Sequence, residues 1–339
     1  MSESAGKMRH GAEKTAKAVG ATAAGAAEGR RVQSIREPLS PGAYVEYSVD
    51  DQPGVVERAR AFLAGAPGEP GMAATVMLVS EGKPHYRRFE SPLAGGAPIE
   101  ETVDAAPVDV FMLRRASTMA FTPDAVVFPG GGMDVRDVEC AVPWAGPSPE
   151  QWACLMSCPV SVAKGVITAA AREVFEESGV LLASAPDGGA PVDEREDHWA
   201  AEREAVATRR VSFGEFLRER GLVLRSDLMR LRSHWVTPES EARRYDTYFF
   251  LARLPEGQHA DGRTSEAVEA AWIAPGEALM RFDAGLLKLV PPTISNLTSI
   301  VAATSVDEAW NTPFDGHVRP HPVARACGEV VLGCEVSET

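Results

Sequence analysis

Three glutamates stand close together in residues 172–180, which read Arg-Glu-Val-Phe-Glu-Glu-Ser-Gly-Val. Glu173, Glu176 and Glu177 are spaced at i, i+3 and i+4, so a helix would bring their carboxylates onto one side. Such like charges repel by about 0.2–0.5 kcal/mol per pair, and in a last helical turn they also oppose the helix dipole. Arg172 is the only cation in the stretch. The pattern therefore predicts a site for a divalent cation, Mg²⁺ or Mn²⁺, which takes carboxylate oxygens as ligands.

The alternative is an acidic helix end that faces solvent. Two features favour a site instead. The acids flank an apolar face, with Ile167, Ala170 and Val174 at helical spacing, and do not alternate with lysines. A glycine-rich segment at 128–132, Phe-Pro-Gly-Gly-Gly, precedes them and is typical of a strand that ends in a loop. Gly179 stands where a helix C-terminal glycine belongs.

Residues 129–131 and 172–180 together resemble the motif of the Nudix hydrolases. That motif runs Gly, five residues, Glu, seven residues, then Arg-Glu-apolar-any-Glu-Glu-any-Gly-apolar, and its second half is complete here. Gly131 and Arg172 are 41 positions apart, where the simple motif has fourteen, so an insertion interrupts it. Eight positions before Arg172, where the motif has its first glutamate, this chain has Lys164. The insertion resembles the branch of the family that includes acyl-CoA diphosphatases.

The resemblance implies a role for each motif residue. The carboxylates of Glu173, Glu176 and Glu177 and the backbone carbonyl of Gly130 would hold the metal ions, while Arg172 would orient the first acid. One further glutamate is expected from a loop that precedes a late strand.

For this glutamate we choose Glu266, with Glu269 as the alternative. The general base that accepts a proton from water is either Glu266 or Glu173, and the sequence leaves both open. Arg114, Arg115 and Arg244 are predicted to bind substrate phosphates. Their alternatives are solvent exposure or pairing with nearby acids.

The implied activity is metal-dependent hydrolysis of a phosphoanhydride bond in a nucleoside diphosphate linked to another moiety. CoA or acyl-CoA is the favoured substrate, and ADP-ribose or NADH is the alternative. A second alternative is a non-catalytic Nudix-fold module that binds a nucleotide. The three retained acids favour the enzyme, because phosphoryl transfer depends on charge neutralisation and positioning.

The resemblance implies an α/β fold, an α/β/α sandwich with a mixed sheet and the motif helix on one face. We expect residues 1–70 to be a disordered or loosely structured extension with a short helix over 55–64. Residues 71–339 would form the Nudix domain, with insertions at about 81–107 and 133–165. Apolar patterns predict strands over 73–80, 108–114, 125–128, 228–236, 245–254, 270–273 and 328–335, and helices over 165–178, 194–209, 213–220, 275–282 and 293–304.

Composition narrows the function further. The 339 residues are 45% hydrophobic and carry a net charge of −14, so the basic footprint of a nucleic-acid binder is missing. No apolar run is long enough to cross a bilayer. The five cysteines lack the CxxC spacing of metal sites, which favours reduced thiols in a cytoplasmic protein. We expect a small-molecule nucleotide as the binding partner, without nucleic acid or membrane, and leave a homodimer open.

Overall fold

The computed structural model describes residues 32–34, 36–40, 42–48, 69–82, 85–89, 99–103, 106–118, 122–187, 199–241, 243–264, 266–324 and 330–337. Several predictions lie partly or wholly outside these ranges: most of the extension 1–70, its helix over 55–64, parts of the insertion at 81–107, and the starts of the helix over 194–209 and of the strand over 328–335.

The described residues form seventeen strands and eight α-helices. The strands are β1 (Val32–Gln33), β2 (Tyr44–Ser48), β3 (Gly71–Ser80), β4 (His85–Phe89), β5 (Ile99–Val103), β6 (Asp109–Arg115), β7 (Val126–Val127), β8 (Gly130–Gly132), β9 (Trp144–Ala145), β10 (Ala183–Ser184), β11 (Val223–Arg225), β12 (Met229–Val236), β13 (Tyr245–Arg253), β14 (Ala267–Ile273), β15 (His317–Val318), β16 (His321–Ala324) and β17 (Val330–Ser337). The helices are α1 (Val135–Glu139), α2 (Pro149–Met156), α3 (Val160–Ser178), α4 (Ala200–Ala207), α5 (Phe213–Glu219), α6 (Pro275–Asp283), α7 (Pro291–Ile300) and α8 (Val306–Asn311).

A large mixed sheet forms the centre of the fold. Its main order is β1-β2-β17-β15-β12-β13-β3-β6-β14. Strands β3 and β13 run parallel, from the pair Gly71–Tyr245 to the pair Val79–Arg253. The short strand β8 pairs antiparallel with β3, so that Gly130 lies opposite Thr75. This pairing places the glycine segment beside the centre of the sheet.

Both faces of the sheet are buried under helices. Alternate residues of β3 point to opposite sides: Val76 and Leu78 join the core beneath α3, while Met77 and Val79 join the core beneath α6 and α7. Because strand side chains alternate with a period of two, a strand of mostly buried residues needs a layer on each face. The predicted α/β/α sandwich with a mixed sheet is therefore confirmed.

Helix α3 carries the motif and is the longest helix in the described part of the chain. It begins after Pro159, five residues before the predicted start, and ends at Gly179, whose φ of 74° requires the left-handed conformation. The Gly179 N–H donates to the carbonyl of Phe175 at 3.0 Å. Gly165 lets α1 approach, since a Cβ there would lie 2.7 Å from Val138 Cγ2.

Other elements refine the sequence predictions. The predicted strands are present within three residues of their expected ends. The Ser212–Glu215 capping box begins α5 as its sequence indicates. The last predicted helix, 293–304, runs instead from Pro291 to Ile300, because proline suits the first helical position.

The two predicted insertions contain regular structure. Strands β4 and β5 pair within 81–107, and α1, β9 and α2 lie within 133–165. Strand β2 pairs antiparallel with β17, although the sequence placed its residues in the extension. The domain division at residue 70 stays a prediction.

In the described ranges, no single helix is both long and apolar enough to cross a bilayer. Helices α2 and α3 pass this test of length and composition only as a pair, and they are bent by 99° at their junction.

Phe175 offers a test of how α3 is held. Its ring is fully buried and stacks on Phe216 at 5.0 Å between centroids. We expect Phe175→Ala to lower the free energy of unfolding by about 3–5 kcal/mol, since it removes buried contacts and leaves a cavity. The matched control is Val160→Ala in the same helix, where the side chain is 43% exposed. Urea denaturation measures both, and equal effects would contradict this packing.

Candidate active site

Two glycines allow the backbone of β8 to meet the motif helix. A Cβ on Gly130 would lie 2.6 Å from the carbonyl oxygen of Ala74, and a Cβ on Gly131 would lie 2.6 Å from Glu173 Cδ. Either distance is far shorter than a van der Waals contact. Glycine is therefore required at both positions for close approach.

The three motif glutamates converge on this glycine segment. The Gly130 N–H donates to Glu177 Oε2 at 2.9 Å, so the helix faces Gly130 as predicted. Arg172 Nη1 donates to Glu173 Oε1 at 2.7 Å and to Glu176 Oε1 at 3.1 Å. Glu173 and Glu177 are only 8% and 5% exposed. The cluster is thus a buried group of acids, and the solvent-facing helix end does not describe it.

Arg172 connects the acids to the glycine segment. Its Nε and Nη2 donate to the two carboxylate oxygens of Asp137 at 3.1 and 3.0 Å, and Nη2 also donates to the Gly132 carbonyl at 2.9 Å. Burial by itself would lower the pKa of Arg172, but the carboxylates of Glu173, Asp137 and Glu176 raise it above its ordinary value. The guanidinium therefore stays charged and fixes the orientation of its partners.

Asp137 is the site residue that sequence reasoning missed. Counting back from Arg172 led to Lys164, whose Nζ instead donates to the backbone carbonyls of Val138 and Cys140. Asp137 stands six positions after Gly131, with five residues between them, which is the motif's first acid position. The insertion inside the motif therefore lies between Asp137 and Arg172, and an aspartate stands where the family motif has glutamate.

Burial sets the protonation of the acids. It raises the pKa of Glu173 to about 7, against the opposing charge of Arg172. Burial also raises the pKa of Glu176, and burial together with the charge of Glu173 raises the pKa of Glu177 well above its ordinary value. The pKa of Asp137 is raised by burial as well. Removing carboxylates from water favours the neutral form unless a cation compensates.

The donor atoms suit a hard divalent ion, although the side chains are not preassembled around one. No group of three or more Asp, Glu, His or Cys side chains in the described residues is arranged closely enough to hold a metal. Glu173 and Glu176 turn toward Arg172, and Glu177 turns toward the Gly130 N–H. Buried, negatively charged oxygen donors are nonetheless the ligands that Mg²⁺ and Mn²⁺ prefer. The residues present therefore fit such an ion if these carboxylates rotate toward it.

The structure separates the two candidates for the further glutamate. Glu266 is exposed just before β14, and its charge contributes to the raised pKa of Glu173, Glu176 and Glu177. Glu269 instead accepts a hydrogen bond from Arg114 Nε at 2.9 Å. Glu266 is therefore the acid that the fold brings to the cluster.

The three arginines that were predicted to bind phosphate lie in different environments. Arg114 is buried and paired with Glu269. Arg115 lies close enough to lower the pKa of Glu177, and its buried Nε has no hydrogen-bond partner among the described residues. Arg244 Nε donates to the Thr237 carbonyl at 3.1 Å. Of the three, Arg115 is the one placed beside the acids.

Arg244 sits farther along the sheet. Its carbonyl accepts from the Gly71 N–H at 3.0 Å, and Gly71 is four residues from Thr75, the partner of Gly130. At about 3.3 Å per strand residue, this puts its backbone about 13 Å from the glycine segment.

The raised pKa of Glu173 makes stability depend on pH in the metal-free protein. The folded chain keeps this proton up to about pH 7, whereas the ordinary pKa is 4.5. The proton therefore contributes stability that is complete below pH 4.5 and lost as pH rises through about 7. In EDTA, we expect the free energy of unfolding to fall by on the order of 1–3 kcal/mol from about pH 5 to about pH 8. Urea denaturation at several pH values should show that the free energy of unfolding changes less with pH in Glu173→Gln than in the wild type. The same dependence on pH in both proteins would contradict the assignment.

Asp137 can be tested against a neighbour on the same helix. Asp137→Ala leaves Arg172 buried without its bidentate partner, and we expect a loss of about 3 kcal/mol in unfolding free energy. Asp137→Glu keeps the carboxylate and should recover part of that loss. The control is Glu139→Gln, an exposed position on α1, which should change stability by less than about 0.5 kcal/mol. Equal stability of the Asp137→Ala protein and the wild type would remove Asp137 from the cluster.

The chain is similar to known proteins over the region that carries this site. Residues 150–300, which include α3 and Glu266, match the family model described as the NUDT19 Nudix domain. The chain is 28% identical over 267 residues to the acyl-coenzyme A diphosphatase NUDT19 of Gallus gallus, covering 66% of this chain and 70% of the relative. It is 29% identical over 191 residues to a putative nudix hydrolase 7 of Caenorhabditis elegans, covering 56% of this chain and 55% of that protein. This chain thus spans about half the length of the nematode relative.

A solved structure supports the same assignment. The crystal structure of a NUDIX hydrolase from Alicyclobacillus acidocaldarius superimposes with a TM-score of 0.53 at 25% identity, covering 73% of this chain and 98% of that one. In its motif residues, its sandwich fold and these comparisons, the chain is similar to the Nudix hydrolase superfamily.

Proposed function

We propose that this protein is a metal-dependent diphosphatase that hydrolyses a phosphoanhydride bond in a nucleoside diphosphate linked to another moiety. CoA or acyl-CoA is the preferred substrate class. The observation that carries the proposal is the cluster of the buried Glu173 and Glu177 with the half-buried Glu176, turned toward Arg172 and Gly130.

The chain's own residues hold and orient the reacting groups. The carboxylates of Glu173, Glu176 and Glu177, with the Gly130 carbonyl, would bind Mg²⁺ or Mn²⁺. When bound, the ion supplies positive charge against the phosphates and lowers the pKa of a water molecule. Arg172 keeps the glutamates in place through contacts of 2.7 and 3.1 Å.

Arg115 is the candidate for direct contact with a phosphate. The protein carries a net charge of −14, which disfavours the approach of a polyphosphate. Arg115 places a cation beside Glu177, and its buried Nε is without a partner among the described residues. A phosphate oxygen would satisfy this donor, because guanidinium groups match phosphate geometry.

Glu266 is the better candidate for the general base. It is exposed at the edge of the cluster, where water is available. Glu173 is buried and already accepts a hydrogen bond from Arg172. A base must reach the proton it removes, so exposure and proximity both favour Glu266.

The proposed substrate preference rests on the similarity of this chain to a named relative. The relative from Gallus gallus is named an acyl-coenzyme A diphosphatase, and the alignment covers 70% of it. Fold alone does not decide the substrate, because pocket residues do. A panel of CoA, acyl-CoA, ADP-ribose and NADH, assayed with Mg²⁺ and Mn²⁺, tests this preference.

The central prediction concerns Glu177→Gln and Glu176→Gln. Each change keeps side-chain size but removes a negative charge, so the metal-free protein should be as stable as the wild type or more so. Turnover should fall by a factor of about 100 or more, about 2.7 kcal/mol of barrier. Mn²⁺ should raise the melting temperature of the wild type more at about pH 8 than at about pH 5, because metal ligands must be deprotonated. The Glu139→Gln protein is the control for all three measurements.

Different outcomes bear on different parts of the proposal. Faster cleavage of ADP-ribose or NADH than of CoA would overturn the substrate preference but not the diphosphatase activity. Metal binding without cleavage of any compound would favour the non-catalytic module. Unchanged turnover in both glutamine variants would remove these residues from the mechanism.

A further inference from the structure

Arg203 of α4 contacts two parts of the molecule that the mechanism uses. Its side chain is 11% exposed. Nε donates to the backbone carbonyl of Glu176 at 3.0 Å, and Nη1 donates to Asp261 Oδ1 at 2.6 Å. One guanidinium therefore joins the last turn of the motif helix to the loop that leads to Glu266.

That loop is fastened to the end of the motif helix at further points. The Asp261 N–H donates to the Ser178 carbonyl at 2.8 Å. The Gln258 side-chain amide forms two hydrogen bonds with the backbone of Leu181, at 2.7 and 2.9 Å. These contacts hold residues 258–261 against the exit of α3, whereas Glu266 follows five residues later.

Two glycines make room for this arrangement. A Cβ on Gly179 would lie 2.9 Å from Arg203 Nη1, so the helix-ending glycine also admits the guanidinium. A Cβ on Gly262 would lie 2.6 Å from the Ala270 side chain of β14. The loop is therefore packed closely against both the helix end and the strand that Glu266 precedes.

We propose that Arg203 and Asp261 are positioning residues that set the place of the Glu266 carboxylate relative to the motif helix. The inference rests on the proposed diphosphatase function, in which Glu266 accepts a proton from water. Glu266 itself is anchored on its other side, where its carbonyl accepts from the Ala116 N–H at 3.1 Å. Loss of the Arg203–Asp261 pair would free the segment between the helix end and that anchor.

A purely structural role for Arg203 would lead to different effects of mutation on stability and turnover. A cation near the last helical carbonyls stabilises a helix C-terminus, with or without a loop. Under that role, only the stability of α3 would depend on Arg203, and Asp261 would have little effect on turnover. Under the positioning role, Asp261→Asn should impair turnover although it leaves the contact between Arg203 and the Glu176 carbonyl in place.

The experiment compares variants of the full chain. Arg203→Gln and Asp261→Asn remove the pair, Arg203→Lys keeps the charge, and Glu266→Gln provides the background for a double-mutant cycle. The matched control is Arg220→Gln, which removes an exposed ion pair with Glu202, a residue of α4 like Arg203. Measurements are kcat and KM for CoA with Mn²⁺, melting temperature, and hydrogen exchange of peptides covering 254–266.

We expect kcat to fall about 10- to 100-fold in Arg203→Gln and Asp261→Asn, since small misplacements of reacting groups cost this much. KM should stay within about twofold, because the pair does not touch substrate. Arg203→Lys should recover part of the loss, and Arg220→Gln should behave as wild type. In the Glu266→Gln background, Asp261→Asn should cause no further loss, and exchange of 254–266 should be faster in the two pair-breaking variants.

Two results would overturn the inference. One is unchanged kcat in Asp261→Asn, whatever happens to its melting temperature. The other is a loss of kcat that multiplies fully with that of Glu266→Gln, since independent residues act additively in free energy. If the wild type cleaves no diphosphate, the proposed function fails, and hydrogen exchange then tests the positioning by itself. Unchanged protection of 254–266 in Asp261→Asn would overturn the inference, and lost protection would support it.

Discussion

The site depends on burying several carboxylates around one guanidinium. Arg172 contacts three acids, at shortest distances of 3.0 Å to Asp137, 2.7 Å to Glu173 and 3.1 Å to Glu176. Removing such charges from water is costly, and one cation does not balance three acids and the nearby Glu177. Burial first, and the charge of neighbouring acids second, raise the pKa values of Glu173 and Glu177, so these groups tend to hold protons when no further cation is near. The proposed binding of a divalent cation rests on this same charge imbalance.

The surrounding fold supplies what this imbalance requires. Helix α3 is held by apolar contacts on its buried face, such as Phe175 against Phe216, so the acids need not stabilise it themselves. The β8 backbone approaches Glu173 and Glu177 closely because Gly130 and Gly131 lack side chains. Packing therefore offsets the electrostatic cost, and the acids remain available for chemistry.

The insertion inside the motif is compatible with this site for a simple physical reason. Thirty-four residues, 138–171, separate Asp137 from Arg172, where the simple motif has seven. Because loop-closure entropy grows only with the logarithm of length, the longer connection costs about 1–2 kcal/mol more. Burial of Trp152, Ala153 and Met156 from α2 in the core offsets that cost. The ends of the motif can thus meet at the sheet although they are far apart in sequence.

The sequence by itself determined the helix, its three acids and the glycine segment, because helical spacing and glycine requirements are local properties that residue types display directly. Local patterns also predicted the main strands. Only the tertiary structure decided that Asp137 is the partner of Arg172, that Glu266 and not Glu269 adjoins the acids, and that Arg115 and not Arg114 faces them. Each of these choices depends on strand register or on a contact between distant segments, in which neighbouring residues point to opposite faces. Spacing along the chain does not tell which face of a strand or loop contacts the site, so these three residues could be assigned only from the tertiary structure.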